Sequence, residues 1–269
     1  MVQLSELARK YAPWSTTKLE QAKTCPAQFE RQYVLKHKKE IQAQDNRVGI
    51  IAHRIIELML PGLPFADAQE AAIKELPVTS NESAELQCHR EAIEQFVARF
   101  SAFRQREGEK QLFIEQKWAN DFDGNAIEYA SPNAFFRGIV DLALLSNAND
   151  LWIIDHKSGK VADLTYKSAQ LDSYAILGSA NVPNIVGTRS GINALSNPQA
   201  TRLQWSNYID LNQIRRGLLP WLMEYVNQCA SNLRTFDAKP KKPWPCNWCP
   251  YSPSCVPYQG LTNGAKKGK

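Results

Sequence analysis

No stretch of the 269-residue chain approaches the roughly 18 consecutive apolar residues that a bilayer-spanning helix requires. The opening residues, MVQLSELARKYAPWS, hold no apolar segment between a basic start and a small-residue cleavage site, so no secretory signal is expected and a cytoplasmic protein is. No glycine loop of the phosphate-cradling helicase type occurs among the 13 glycines, which excludes a nucleotide-driven motor of that class. Zinc-finger and helix-turn-helix signatures are missing as well, which argues against readout of base edges. There is no internal repeat. Six cysteines are too few for a disulfide-built miniprotein of this length, and in a reducing compartment they point to metal ligation.

What is present is an ordinary globular composition. Hydrophobic residues make up 43% and charged residues 22%, and the mean hydropathy is −0.41, so the chain can bury a substantial core and is far from the disordered class. The net charge of +5 is compatible with an anionic partner without identifying one.

Along the chain, residues 15–36 read as two short helices meeting at Cys25-Pro26, with Ser15, Thr16 or Thr17 as cap and Phe29, Tyr33 and Val34 on one apolar face. The polar, basic strip that follows is a solvated surface or a phosphate contact. GIIAHRIIELML has helical spacing, with Ile51, Ile55 and Leu58 in a stripe, His53 close to it and Pro61-Gly62 as the stop. Further helices are expected at 66–76 and 82–107. After Gln111, QLFIEQKWA, AFFRGIVDLALL and LWIIDHK read as strands, the last two joined by the turn set SNAND. TYKSAQLDSYAIL returns to helical spacing, RLQWSNYIDL reads as a further strand, and LNQIRRGLLPWLMEYVNQCASNL reads as a long helix containing Pro220. The fold class is therefore α/β, a mixed core behind a helical N-terminal part, closed by a cysteine-rich segment.

Asp155 and Lys157 lie two apart on one strand and so share a face, and pairing with the preceding strand can bring Asp141 beside them. Carboxylates held together need a positive partner, for which a hard divalent cation is suited. The bland alternative is a surface ion pair at a strand end, which contributes little. Glu115 on the preceding strand, His53, and the helical pair Gln170 and Tyr174 add to the cation reading, although each alone also suits a packing role.

Taken in order, Gly49-Ile-Ile-Ala-His53, Glu115, Gly138-Ile-Val-Asp141, Asp155-His156-Lys157 and Gln170-Leu-Asp-Ser-Tyr174 resemble the PD-(D/E)XK nuclease superfamily in its RecB-like exonuclease branch. The resemblance implies a restriction-endonuclease-like core, a central mixed sheet flanked by helices. It also implies that His53, Asp141, Asp155 and the main-chain carbonyl of His156 hold Mg2+ or Mn2+. Lys157 then positions or activates water, Glu115 supports the site, and Gln170 and Tyr174 hold the DNA strand and Lys157.

Cys246, Cys249 and Cys255 are spaced C-x2-C-x5-C and require a fourth ligand. No histidine follows. Cys88 and Cys229 fall in helical patterns, which leaves Cys25 at its helix junction as the better donor. Spacing alone leaves zinc and iron-sulphur equal. The resemblance extends here to nucleases of the AddB and CRISPR-adaptation types, and it implies a [4Fe-4S] cluster on Cys25, Cys246, Cys249 and Cys255; Trp244, Trp248 and Tyr251 are placed either to shield it from water or simply to pack in a proline-rich segment. It further implies one nuclease domain over 1–258, made of a helical part (1–110), a catalytic core (111–232) and a cluster segment (233–258); by composition 259–269 reads as a disordered basic tail. The expected activity is a metal-dependent deoxyribonuclease, an exonuclease on single-stranded or end-exposed DNA in recombination, repair or CRISPR-type processing. It would work alone or with a helicase, recombinase or integrase and without a membrane. The alternative is a non-catalytic iron-sulphur DNA-binding subunit of a larger assembly.

Overall fold

The computed structural model describes residues 2–38, 47–158, 164–195, 203–239 and 246–257. In chain order the elements are α1 (Glu6–Lys10), α2 (Thr16–Thr24), α3 (Pro26–Phe29), α4 (Arg47–Met59), α5 (Phe65–Glu75), α6 (Ser80–Glu107), β1 (Glu109–Asn120), β2 (Phe136–Ser146), β3 (Asp150–Lys157), α7 (Leu164–Asn181), β4 (Gly187–Ala194), β5 (Gln204–Trp205), β6 (Ile209–Asp210), α8 (Leu211–Gln213) and α9 (Leu219–Ser231). Five-residue π-helical turns follow α3 and α8. The basic tail, Trp244 and most of the basic strip after Lys38 lie outside the described residues.

The chain forms two compact units, one of residues 46–219 and one of residues 1–45 with 220–269. The first is built on a mixed sheet ordered β1-β2-β3-β4-β5, with β6 also on β4. β1, β2 and β3 run antiparallel, β3 and β4 parallel, and β5 and β6 antiparallel to β4. On one face Ile51, Ile55 and Ile56 of α4, Phe65 of α5 and Ile93, Phe96 and Phe100 of α6 pack with Leu142, Leu144 and Ile154. The other face carries α7, where a side chain at Gly178 would meet Leu151, Ile153 and Trp118. This is the expected α/β architecture. Its first helices begin and end where the sequence signals them: Thr79 and Glu82 form a reciprocal cap for α6, and Gly62, at φ 116°, closes the turn after α4.

In the second unit Ser15 caps α2, its hydroxyl accepting from Lys18 N at 3.3 Å, and Cys25-Pro26 joins α2 to α3. Trp14, Leu19 and Phe29 are buried, as are Leu222, Val226 and Leu233 from the far end of the chain. Arg31 binds Ser254 Oγ at 2.5 Å, and Tyr251 OH donates to the carbonyl of His37 at 3.2 Å, so the cysteine-rich segment lies on the N-terminal helices.

Four readings of the sequence need correction. Val34 is 40% exposed rather than aligned with Phe29, because the π-helical turn Glu30–Val34 alters the angular spacing that an α-helix gives. β4, GTRSGINA, was not anticipated: its glycines, serine and asparagine have low strand propensity, and its place between neighbours in the sheet makes it a strand. RLQWSNYIDL supplies two strands of two residues each instead of one long one. The long helix containing Pro220 is present as an unbroken helical run over 211–231, but it departs from α spacing in a π-helical turn over Ile214–Leu218 just before the residue that lacks an N–H.

Candidate active site

The register of β2 on β3 pairs Leu142 with Ile154, so the next positions, Asp141 and Asp155, fall side by side at the end of the pairing. The main-chain N–H of His156 donates to Asp141 Oδ2 at 2.7 Å and fixes the orientation of that carboxylate. Burial of Ile51, Ile55 and Ile56 seats α4 on this part of the sheet, and His53 at its edge stays one-quarter exposed with Nδ1 3.6 Å from Asp141 Oδ2.

Glu115 arrives by a local break in the pleat. Strict two-residue alternation would place Ile114 and Trp118 on one face. Instead Ile114 packs with the α4–α6 cluster, whereas Trp118 meets α7 at Gly178. Between them Glu115 stands at φ 48°, the one left-handed residue of β1, opposite Asp141 in a register that pairs Ile114 with Leu142 and Gln116 with Val140. Such irregularities re-aim side chains. The outcome is a donor set: ligand atoms of His53, Glu115 and Asp141 all lie within 4.8 Å of one another.

Asp155 is 1% exposed and stands beside this set. Its Oδ2 is ion-paired with Lys157 Nζ at 2.5 Å, two residues along the same strand. Its Oδ1 accepts from Gln170 Nε2 at 3.1 Å, and the same amide nitrogen donates to Tyr174 OH at 2.8 Å. Gln170 and Tyr174 are four apart on α7 and so present one face to the sheet. The structure thus brings His53, Glu115, Asp141, Asp155, Lys157, Gln170 and Tyr174 into one neighbourhood.

Burial dominates the electrostatics. It raises Glu115 to about 8, with Asp141, Glu57 and Asp155 adding like charge. It raises Asp141 and Asp155 each to about 6, against the opposing pull of Lys157 and, for Asp141, of the His156 amide. Burial also lowers His53, more than the neighbouring Asp155 raises it, which favours the neutral ring that can donate a lone pair. Three acids whose negative charge is resisted, next to a neutral imidazole, form a pocket short of one positive charge. Hard cations are bound by such oxygen-rich sets, and their binding relieves the repulsion. The residues present therefore fit a divalent ion.

Two participants were not singled out in the sequence. Glu57 lies one turn after His53 on α4; it acts electrostatically on His53, Glu115 and Asp141 and is held by Arg54 at 2.7 Å, which also binds Glu75. The i, i+4 spacing from His53 was the available signal. Asn193 of β4 lies 2.9 Å from His156 Nδ1, and no sequence signal precedes it because β4 itself was unrecognised. The His156 ring is buried among Asn193, Phe96 and His53, with ring centroids 4.8 Å from Phe96 and 5.4 Å from His53.

In the other unit Cys25 ends α2, while Cys246, Cys249 and Cys255 are joined by successive turns, with Cys249 N bonding Cys246 O, Ser252 N bonding Cys249 O and Cys255 N bonding Ser252 O. The Cys249 thiol is pushed up by burial and further by Cys25, Cys246 and Cys255. Cys25, Cys246 and Cys255 are therefore each electrostatic neighbours of Cys249. Tyr251 is buried beside them.

A family model of the PD-(D/E)XK nuclease superfamily matches residues 13–256. Comparison with curated proteins finds no match. Among solved structures the chain is similar to one titled "Crystal structure of SSO0001", at 17% identity, covering 94% of this chain and 96% of that chain, with a TM-score of 0.34.

Proposed function

The chain belongs to the PD-(D/E)XK nuclease superfamily, and from that membership we propose a RecB-like exonuclease that hydrolyses phosphodiester bonds at exposed or single-stranded DNA ends with Mg2+ or Mn2+. One observation carries this reading: His53, Glu115 and Asp141 close to within 4.8 Å of one another, with the Lys157–Asp155 pair alongside. His53, Asp141 and Glu115 would hold the ion, with Asp155 and the His156 carbonyl as the further donors that the resemblance supplies. The ion provides Lewis-acid polarisation of a phosphoryl oxygen and a lowered pKa for water.

The remaining work belongs to the chain. The His156 amide keeps the Asp141 carboxylate turned into the pocket. Lys157 Nζ orients the attacking water and offsets negative charge as phosphorus becomes five-coordinate. Gln170, donating to Asp155, holds that carboxylate where it can engage Lys157, and Tyr174, whose pKa burial raises well above its ordinary value, stays protonated as a hydrogen-bonding phenol near the strand.

Cys25, Cys246, Cys249 and Cys255 would ligate a [4Fe-4S] cluster whose role is to join the first helices to the cysteine-rich segment, with zinc as the competing occupant. The influence of Cys25, Cys246 and Cys255 on the Cys249 thiol supports either. Action in recombination, repair or CRISPR-type processing, with a helicase, recombinase or integrase as partner, completes the proposal.

The deciding experiment follows 5′- and 3′-labelled single and double strands over time with Mn2+ or Mg2+. Wild-type protein should shorten strands from an end, and Lys157→Ala should not. Retained DNA binding without any cleavage would replace this reading with the non-catalytic subunit.

A further inference from the structure

A groove of about 480 Å3 runs along α6 on the face opposite α7, lined by Phe96, Arg99, Phe103, Arg106 and Trp205 among others, with no carboxylate among the described lining residues. Its apolar wall is a set of half-buried rings. Phe103 stacks on Trp205 at 5.8 Å, and Trp152 meets both edge-on at 4.9 and 5.1 Å. Arginines surround these rings: Arg106 lies over Phe103 at 5.2 Å and Arg189 over Trp152 at 5.3 Å. Arg99 and Arg106 are seven residues apart, hence two turns along one side of α6. Arg106 is held by Glu107 at 2.8 Å, an exposed pair that a phosphate can displace.

The groove adjoins the active site. Phe96 lines it and also touches the His156 ring at 4.8 Å, and the amide of that same His156 holds Asp141. Aromatic rings beside arginines, with Glu107 on Arg106 as the acid to be displaced, match unpaired bases and their phosphates, since stacking accepts any base and guanidinium groups suit phosphate oxygens. A duplex cannot offer its bases this way because they are already stacked and paired.

We propose that this groove is a second contact for the substrate strand, taking one or two unstacked nucleotides of single-stranded DNA at a distance from the cleaved bond. The bases lie against Trp205 and Phe103, and Arg99 and Arg106 meet successive phosphates. The inference rests on the nuclease reading and adds a binding site to it.

The test measures binding of a labelled oligothymidylate of about 12 nucleotides, within the span that single-strand sites cover, to the full chain with divalent ions chelated, as a function of salt. Cleavage is assayed in parallel. Arg99→Glu and Arg106→Glu should each weaken binding about tenfold and reduce the salt slope by roughly 1, as loss of one phosphate contact does. Trp205→Leu should weaken it between about five- and a hundredfold at unchanged salt slope, the range of one lost base stack. Lys74→Glu, a reversal at an exposed residue that does not line the groove, serves as the charge control. Arg99→Gln is the milder companion should a reversal fail to fold, and it should show a smaller loss in the same direction. If wild type cleaves DNA and the groove variants bind like Lys74→Glu, the groove contact is overturned and the nuclease reading stands, leaving an apolar partner protein as occupant. If wild type binds through the groove without cleaving, the catalytic reading fails and the groove contact stands. If wild type does not bind the strand, the groove contact is overturned.

Discussion

The main-chain amide of His156 and Oδ2 of Asp141 meet at 2.7 Å, so the peptide that follows Asp155 on one strand sets the carboxylate of the next. That bond survives replacement of Asp141 by Asn, whose amide oxygen also accepts. Asp141→Asn is therefore expected to fold with near-native circular dichroism while losing cleavage by roughly 10^3-fold, the scale of a lost charge-stabilising group in a water-poor site. Wild-type turnover on labelled DNA would remove Asp141 from the chemistry.

Asp155 and Lys157 respond differently. Lys157→Met leaves Asp155, 1% exposed, without its cation. Because Lys157 is itself one-quarter exposed, the expected cost is about 1–2 kcal/mol, less than for a fully buried pair. Adding Asp155→Asn removes the stranded charge, so the double variant should melt higher than Lys157→Met and remain as inactive. Thermal melts of Lys157→Met, Asp155→Asn and the double variant check the order; additive losses would mean that the two groups do not interact.

The raised acids also give a pH dependence. Glu115 is lifted from 4.5 to about 8 and Asp141 and Asp155 from 3.8 to about 6. Between about pH 4 and 8 these three groups bind more protons in the folded chain than in the unfolded one, so their contribution to stability falls as pH rises, against the opposite contribution of His53 and His156, which burial lowers. The three acids favour folding most at the acid end of that window, opposite in sign to salt-bridged carboxylates. A divalent ion favours the ionised acids, so added Mn2+ should raise the melting temperature more at pH 8 than at pH 5.5. Glu115→Gln should flatten the metal-free profile. Melting temperatures at several pH values test this, and a metal-free profile that does not respond to Glu115→Gln would contradict it.

For the thiols, anaerobically purified protein should be brown, absorb near ~400 nm and contain iron. Cys25→Ser, which removes the ligand most distant in sequence, should lose most of that absorbance and melt lower. A colourless protein carrying zinc would reassign the four sulphurs to a structural zinc site.

The sequence already contained most of the sheet and most of the site, for identifiable reasons. Apolar alternation in QLFIEQKWA and the β-branched and aromatic runs around Val140 and Ile153 depend on local spacing, and so does the grouping of Gln170 with Tyr174 on α7. β4 escaped notice because Gly187, Ser190, Gly191 and Asn193 are made a strand by β3 beside them, through a parallel pairing that is not local. The left-handed backbone at Glu115 left no trace either, since a glutamate carries no sign of the conformation imposed on it. Glu57 was hidden by its ordinariness, an acid next to an arginine pair on an amphipathic helix.

That backbone at Glu115 sets stability against use. A residue with a Cβ gives up on the order of 1–2 kcal/mol to sit in the left-handed region, and glycine does not. A chain shaped for durability alone would drift toward glycine at this position and gain firmness there. Retaining a carboxylate at a site that resists both its conformation and its charge marks Glu115 as a residue that the fold tolerates for the sake of something outside itself.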